Sequence, residues 1–177
     1  MRHLTPIEIL AVVLVLIAAV SDFRTRRIPN WLTLPGVCAG LVANTVLSGV
    51  PGLKSSLEGL AMGLGIYLLL YIVRAMGAGD AKLMAALGSI LGPRDWFFIF
   101  LASSIVGGIF AVILMIRKGR AKETLRNSAF IATELAQMRA PYERRSDLDV
   151  KNPNALRMPH GVAIAVGTIA CLALSLI

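Results

Sequence analysis

Apolar residues run along this chain in stretches close to the length of a bilayer crossing, cut by short polar or Gly/Pro interruptions. The runs fall at Thr5–Val20, Trp31–Val50, Leu57–Val73, Ala81–Leu91, Asp95–Ile116 and Pro159–Ile177. Backbone polar groups find no water in lipid, so each run is predicted to be a helix rather than an open strand. Pro29 and Asn30 are turn and start signals before the second run. Val50-Pro51-Gly52 breaks the chain before the third, and Gly92-Pro93-Arg94 separates the fourth from the fifth. The expected fold is an all-α membrane protein, with six transmembrane helices in one bundle and a single domain over residues 1–177.

The fourth run is short. Ala81–Leu91 reaches only about 16 Å at about 1.5 Å per residue, against a hydrocarbon core of roughly 30 Å. A re-entrant loop is the alternative, and charge decides between the two. With six spans and the loop after the first span inside, all but Arg2, Lys54 and Arg94 of the 18 Lys and Arg lie on the inner side. A re-entrant fourth segment would move the basic residues between Arg117 and Arg157 outside, against the positive-inside rule. Six spans follow, with the fourth helix thinning the bilayer or shielded by its neighbours.

Composition agrees with the pattern. A mean hydropathy of +0.74 and 56% hydrophobic residues exceed what a soluble domain needs. The net charge of +8 follows from topology and anionic inner-leaflet lipid rather than from nucleic-acid binding. Arg2 followed by Ile7–Val20 resembles a signal peptide, but Arg24, Arg26 and Arg27 come at once afterwards, as for a retained, uncleaved helix. Residues 117–158 form the only long polar part, read as a cytoplasmic loop. Within it Leu125, Ala129, Ile131, Leu135 and Met138 recur at roughly helical spacing, which predicts an amphipathic helix on the inner membrane surface. A mobile loop is the other reading, with Tyr142–Asn154 irregular. Cys38 and Cys171 lack metal or redox spacing and read as buried small side chains. His3 and His160 have no ligand-spaced partner, so no metal site is expected.

Two acidic residues carry candidate chemistry. In the six-span topology Asp22, just after the first span, and Asp80, just before the fourth, reach the same cytoplasmic face. Glu8 and Glu58 lie toward the outer ends of their segments. Two carboxyls sharing one water can hydrolyse a peptide bond: one, ionised, acts as general base, and the other keeps its proton and polarises the carbonyl. Like charges that close cannot both ionise easily, so such a pair shares a proton. Asp80 lies in Gly77-Ala78-Gly79-Asp80, where the glycines would let the backbone bend sharply and a substrate approach. Asp80 would then stand at or near a helix N-cap. Lys82 is close enough in sequence to influence the charge of the site, or is an ordinary inner-face anchor. Gly63, Gly65, Gly107 and Gly108 suggest close helix packing. Taken singly, Asp22 could merely balance Arg24 and Arg26, and Asp80 could merely cap a helix. A small proton-coupled transporter or channel using the same carboxylates is the alternative function, and a scaffold subunit of a secretion complex is a third.

Ser21-Asp22-Phe23-Arg24-Thr25-Arg26-Arg27-Ile28-Pro29-Asn30, then Gly77-Ala78-Gly79-Asp80-Ala81-Lys82-Leu83, resembles the type IV prepilin peptidase family of GxGD-type intramembrane aspartyl peptidases. Met158-Pro159-His160-Gly161-Val162-Ala163 is similar to the Pro-x-Gly-x-Ala segment that opens the family's last helix. The resemblance implies Asp22 and Asp80 as the catalytic aspartates, with no cofactor. Pro159 and Gly161 would place the last helix near the dyad, although ordinary helix-start chemistry also explains them. His160 stands where the family often has Tyr. The implied reaction is removal of the basic leader from prepilins or pseudopilins at the cytoplasmic face of the bacterial inner membrane, with both termini outside and pilus assembly machinery among the partners. The cysteine-bearing region used for N-methylation by bifunctional members is not seen. The chain therefore resembles the short, peptidase-only branch serving Tad/Flp-type pili, with no methyltransferase activity expected.

Overall fold

A computed structural model of the chain describes residues 3–72, 76–119, 126–127, 129–131, 133–134, 137 and 160–174. Its elements are α1 (Pro6–Thr25), α2 (Asn30–Ile72), α3 (Ala78–Arg117) and, nearest the C-terminus, α4 (His160–Leu174). No strand occurs among the described residues. Three of these helices, α1 to α3, are long and apolar enough to cross a membrane; α4 is apolar but shorter.

α1 opens with a capping box. The Thr5 side chain accepts the Glu8 N–H at 3.3 Å, and the Glu8 carboxylate accepts the Thr5 N–H at 2.7 Å. Pro6, with no N–H to lose, takes the first turn. Glu8 is thereby engaged at the opposite end of α1 from Asp22. Glu58, the other carboxylate near an apolar run, pairs with Lys54 at 3.8 Å one helical turn away.

α2 and α3 are each divided by a glycine with left-handed backbone: Gly49 at φ 62° and Gly92 at φ 78°. Close approaches of glycines to α3 give the direction of each half of α2. Before Gly49, Gly36 meets Ala86 and Gly40 meets Ser89, so 30–48 runs parallel to 78–91. After Gly49, Gly59 meets Gly88 and Gly63 meets Met84, so 50–72 runs back antiparallel. The chain reverses at Gly49, one residue before the expected Val50-Pro51-Gly52 break, with Pro51 in the first turn of the new half. The stretch expected to be loop before Leu57 is helical. Gly92-Pro93 breaks α3 where the sequence places a break.

The segment 78–91 is the centre of the protein. Leu83, Met84, Ala86, Leu87, Ser89 and Ile90 are all fully buried. This helix is short, about 20 Å at about 1.5 Å per residue, and it is wrapped by its neighbours rather than left facing outward. Breaking the helix at Gly92 strands the carbonyls of its last turn, which need donors from elsewhere. Asn44 donates its side-chain N–H groups to the carbonyls of Ser89 and Ile90 at 3.1 and 2.9 Å, and Ser56 donates its hydroxyl to Ser89. Asn44→Leu is expected to lower stability by about 1–2 kcal/mol, measurable by reversible unfolding in mixed micelles.

Some packing expectations are corrected. Gly63 does meet the Met84 backbone, but a Cβ on Gly65 or Gly108 would touch nothing within 4 Å. Cys38 is exposed and Cys171 half-buried, because a small apolar thiol gains little from facing protein rather than lipid tails. Of the predicted amphipathic segment, Arg126, Asn127, residues 129–131, Thr133 and Glu134 are helical. The remainder of that expectation, and Pro159, lie outside the described residues.

Candidate active site

Asp22 sits in the last turn of α1. The residues after it explain its inward aim. Arg26 ends the helix in a left-handed conformation, φ 53°, with its N–H on the Asp22 carbonyl at 2.8 Å. A non-glycine residue there costs free energy, offset by local bonds. Ser21 donates to the Arg27 carbonyl at 2.9 Å, and Thr25 donates to the Ser21 carbonyl at 2.8 Å. Ile28 is buried and leads into α2. Arg24, Arg26 and Arg27 stay exposed, while Asp22 is only 7% exposed.

The Asp22 carboxylate is held from across the fold. The Gly161 N–H, in the first turn of α4, donates to Asp22 Oδ2 at 2.7 Å. A Cβ on Gly161 would lie 3.0 Å from both Cβ and Oδ2 of Asp22. Gly161 is thus required by close approach, and the positive end of α4 favours a charged carboxylate there. Gly161→Ala is expected to lower activity at least about tenfold while costing little stability, since one neighbouring carboxylate must shift; rate and unfolding measurements on one preparation separate the two.

Asp80 lies in the first turn of α3. The N-cap is Gly77, so Asp80 takes the third helical position, near the cap as the sequence suggests. Its carboxyl reaches back to accept the Gly77 N–H, half of a capping box. The glycines of Gly77-Ala78-Gly79-Asp80 serve by smallness, not by bending. Gly77 has φ −79°, open to any residue, and neither glycine has positive φ. A Cβ on Gly77 would crowd Asp80 Oδ2 at 3.2 Å, and one on Gly79 would press Ile28 at 3.2 Å. Gly79 therefore lets the chain after Asp22 lie against the chain before Asp80.

The two carboxyls come to one end of the protein, close enough for the charge of Asp22 to act on Asp80. His160 is within reach of the Asp22 charge as well. Lys82 is exposed and donates to Asn30 Oδ1 at 2.8 Å, tying the start of α3 to the start of α2.

Two features of this end escape a sequence reading. Tyr67, 2% exposed, packs edge-on against Trp96 and Phe100 with ring centroids 6.4 and 5.9 Å apart, and the charge of Asp80 reaches its hydroxyl. Trp96 is itself fixed by its indole N–H on the Met84 carbonyl at 2.9 Å. A cavity of about 310 Å³ then opens between Tyr67, Ser103, Gly107, Gly108, His160 and Ala163. A lone tyrosine inside an apolar run carries no periodic signal that would single it out.

Apolar helices long enough to cross a bilayer, with two inward-facing carboxylates gathered at one end, define a helical membrane protein with a carboxylate-pair site. Comparison with known proteins gives its lineage. The sequence profile of the type IV leader peptidase family matches residues 9–112, and the chain belongs to that family. It is similar to proteins named prepilin leader peptidase/N-methyltransferase. One from Neisseria gonorrhoeae is 35% identical over 106 residues, covering 56% of this chain and 37% of that protein. Another from Xanthomonas campestris pv. campestris is 36% identical over 113 residues, 58% and 38% of the two chains. A third from Escherichia coli K12 is 32% identical over 125 residues, 67% and 55%. The match thus spans between about a third and just over half of the length of these relatives. No solved structure matches the chain.

Proposed function

We propose that this protein is an intramembrane aspartyl endopeptidase that removes the basic leader from prepilins or pseudopilins at the cytoplasmic membrane face. One observation carries the reading: Asp22 and Asp80, far apart in sequence, converge at one end of the protein, with Asp22 oriented by Gly161.

In this reading the halves of α2 and α3 each cross the inner membrane, which with α1 and α4 makes six spans in one bundle. Reversals at Gly49 and Gly92 make this possible, and α2, at 43 residues, is about twice the length one crossing needs. Exposed Arg24, Arg26 and Arg27 support an inside position for the dyad end under the positive-inside rule, with both termini then outside and anionic lipid around the inner rim.

The chemistry follows from the pair. The ionised carboxylate takes a proton from a water as its oxygen bonds to the scissile carbonyl carbon. The protonated partner gives its proton to the carbonyl oxygen, forming a neutral tetrahedral diol. The newly protonated carboxyl then gives its proton to the amide nitrogen while the other carboxylate takes one from a diol hydroxyl, and the C–N bond breaks to release a carboxylic acid and an amine. The dyad titrates as one unit.

The transporter alternative asks for a polar relay away from the dyad. The buried hydroxyls of Ser56, Ser89 and Thr168 donate to backbone carbonyls, and that of Ser103 has no partner. None of the four bonds to another as a relay needs, which does not favour the alternative. Co-expression with a candidate prepilin, scored for leader removal on a gel, tests the proposal with wild type, Asp22→Asn and Asp80→Asn. Cleavage by wild type alone is expected. Cleavage that survives both substitutions would exclude the dyad.

A further inference from the structure

We propose that the Tyr67 hydroxyl is a third catalytic group, donating a hydrogen bond to the scissile carbonyl oxygen, and that the cavity beside it seats the peptide next to that bond. This rests on the peptidase reading above.

The first support is a hydroxyl without a structural use. Tyr67 is 2% exposed, and its hydroxyl has no hydrogen-bond partner among the described residues. The hydroxyl oxygen is not itself fully buried but opens toward the cavity, and phenylalanine would fill the same aromatic cluster without it. The ring is nevertheless gripped by Trp96 and Phe100, themselves stacked at 5.5 Å. Such a grip fixes where the hydroxyl stands, and it stands on the cavity wall within reach of the Asp80 charge.

The second support is the cavity itself. Ser103 is 5% exposed, and its hydroxyl oxygen is buried without a hydrogen-bond partner. That oxygen is packed against Gly167 rather than opening on the cavity. Tyr67 is left as the unpaired hydroxyl facing this cavity, which His160 ties to the dyad end. A peptide backbone seated there supplies the carbonyl that the Tyr67 hydroxyl lacks. As water adds to the scissile carbonyl, charge gathers on its oxygen before the proton from the dyad arrives. A fixed donor strengthens its bond as that charge grows, which lowers the barrier rather than merely holding substrate. Tyr67 gains or loses no proton in the cycle.

Steady-state kinetics on purified protein with a prepilin substrate test this, using wild type, Tyr67→Phe, Gly108→Leu and Asp80→Asn. Tyr67→Phe should lower kcat about 10²-fold with little change in KM and unaltered thermal unfolding. Gly108→Leu should fold, because the space around that position is open, and should raise KM several-fold by filling the cavity. A Tyr67→Phe enzyme within about twofold of wild type in kcat, beside an inactive Asp80→Asn, would overturn this inference and leave the peptidase reading standing. Unchanged KM in a folded Gly108→Leu would overturn the seating of the peptide. Wild type that does not cut would remove the reading beneath both.

Discussion

Exchange of either aspartate for asparagine will reduce leader cleavage by about 10³-fold or more, with no loss of folded protein. The reason lies in how each carboxyl is held. Asp22 accepts the Gly161 N–H at 2.7 Å, and Asp80 accepts the Gly77 N–H. An asparagine amide oxygen accepts the same bonds, so the geometry survives. It neither takes a proton from water nor gives one to a carbonyl, so the chemistry does not. At about 1.4 kcal/mol per decade, the loss is about 4 kcal/mol of barrier. Cleavage rates and unfolding midpoints, measured on the same preparations, check both halves of this expectation.

The second large effect is on stability. Gly59 and Gly88 face each other so closely that a Cβ on either would lie 2.0 Å from the other's carbonyl oxygen. Both neighbours are backbone and have no rotamer to swing aside. Alanine at either position must push the second half of α2 away from the central helix by about 1 Å or more to restore ordinary contact distance. Gly59→Ala is expected to cost about 3 kcal/mol. Gly65→Ala is the control: it lies on the same half-helix with nothing within 4 Å and should change stability by no more than about 0.5 kcal/mol. Equal losses for the two would mean that the close approach at Gly59 is not what holds the helices together.

Much of this arrangement was legible in the residues. Counting crossings puts Asp22 and Asp80 on one face, and they do come to one end of the protein. Gly92-Pro93 marks a reversal that the backbone makes, because glycine takes the left-handed conformation and proline suits the next helical turn. The other reversal falls one residue earlier than the residues suggest, since Val50-Pro51-Gly52 looks like the break itself. Here Pro51 belongs to the new half, and the break falls on Gly49. Lys54, Ser55 and Ser56, just ahead of the predicted run, look like loop because they are polar. They are helical, with Lys54 and Glu58 paired one turn apart and Ser56 turned inward to a freed carbonyl.

The roles of small residues were harder to read. Gly77 and Gly79 suggest bending, yet their φ values are ordinary; each makes room, one for a carboxyl and one for Ile28. Smallness needed for contact and smallness needed for conformation look alike in a sequence. Gly107 and Gly108 look like packing glycines but line a cavity. Tyr67 gave no signal, because its significance comes from Trp96, Phe100 and Asp80, which only the fold brings to it.

The central claim is that this chain, through Asp22 and Asp80, hydrolyses one peptide bond of a prepilin. The most direct measurement is mass spectrometry of a purified prepilin after incubation with the purified protein in lipid vesicles. The account predicts a single cut, releasing the basic leader just ahead of the apolar segment, with none from Asp22→Asn or Asp80→Asn. Intact substrate with folded wild type, or the same cut made by both asparagine variants, would contradict it.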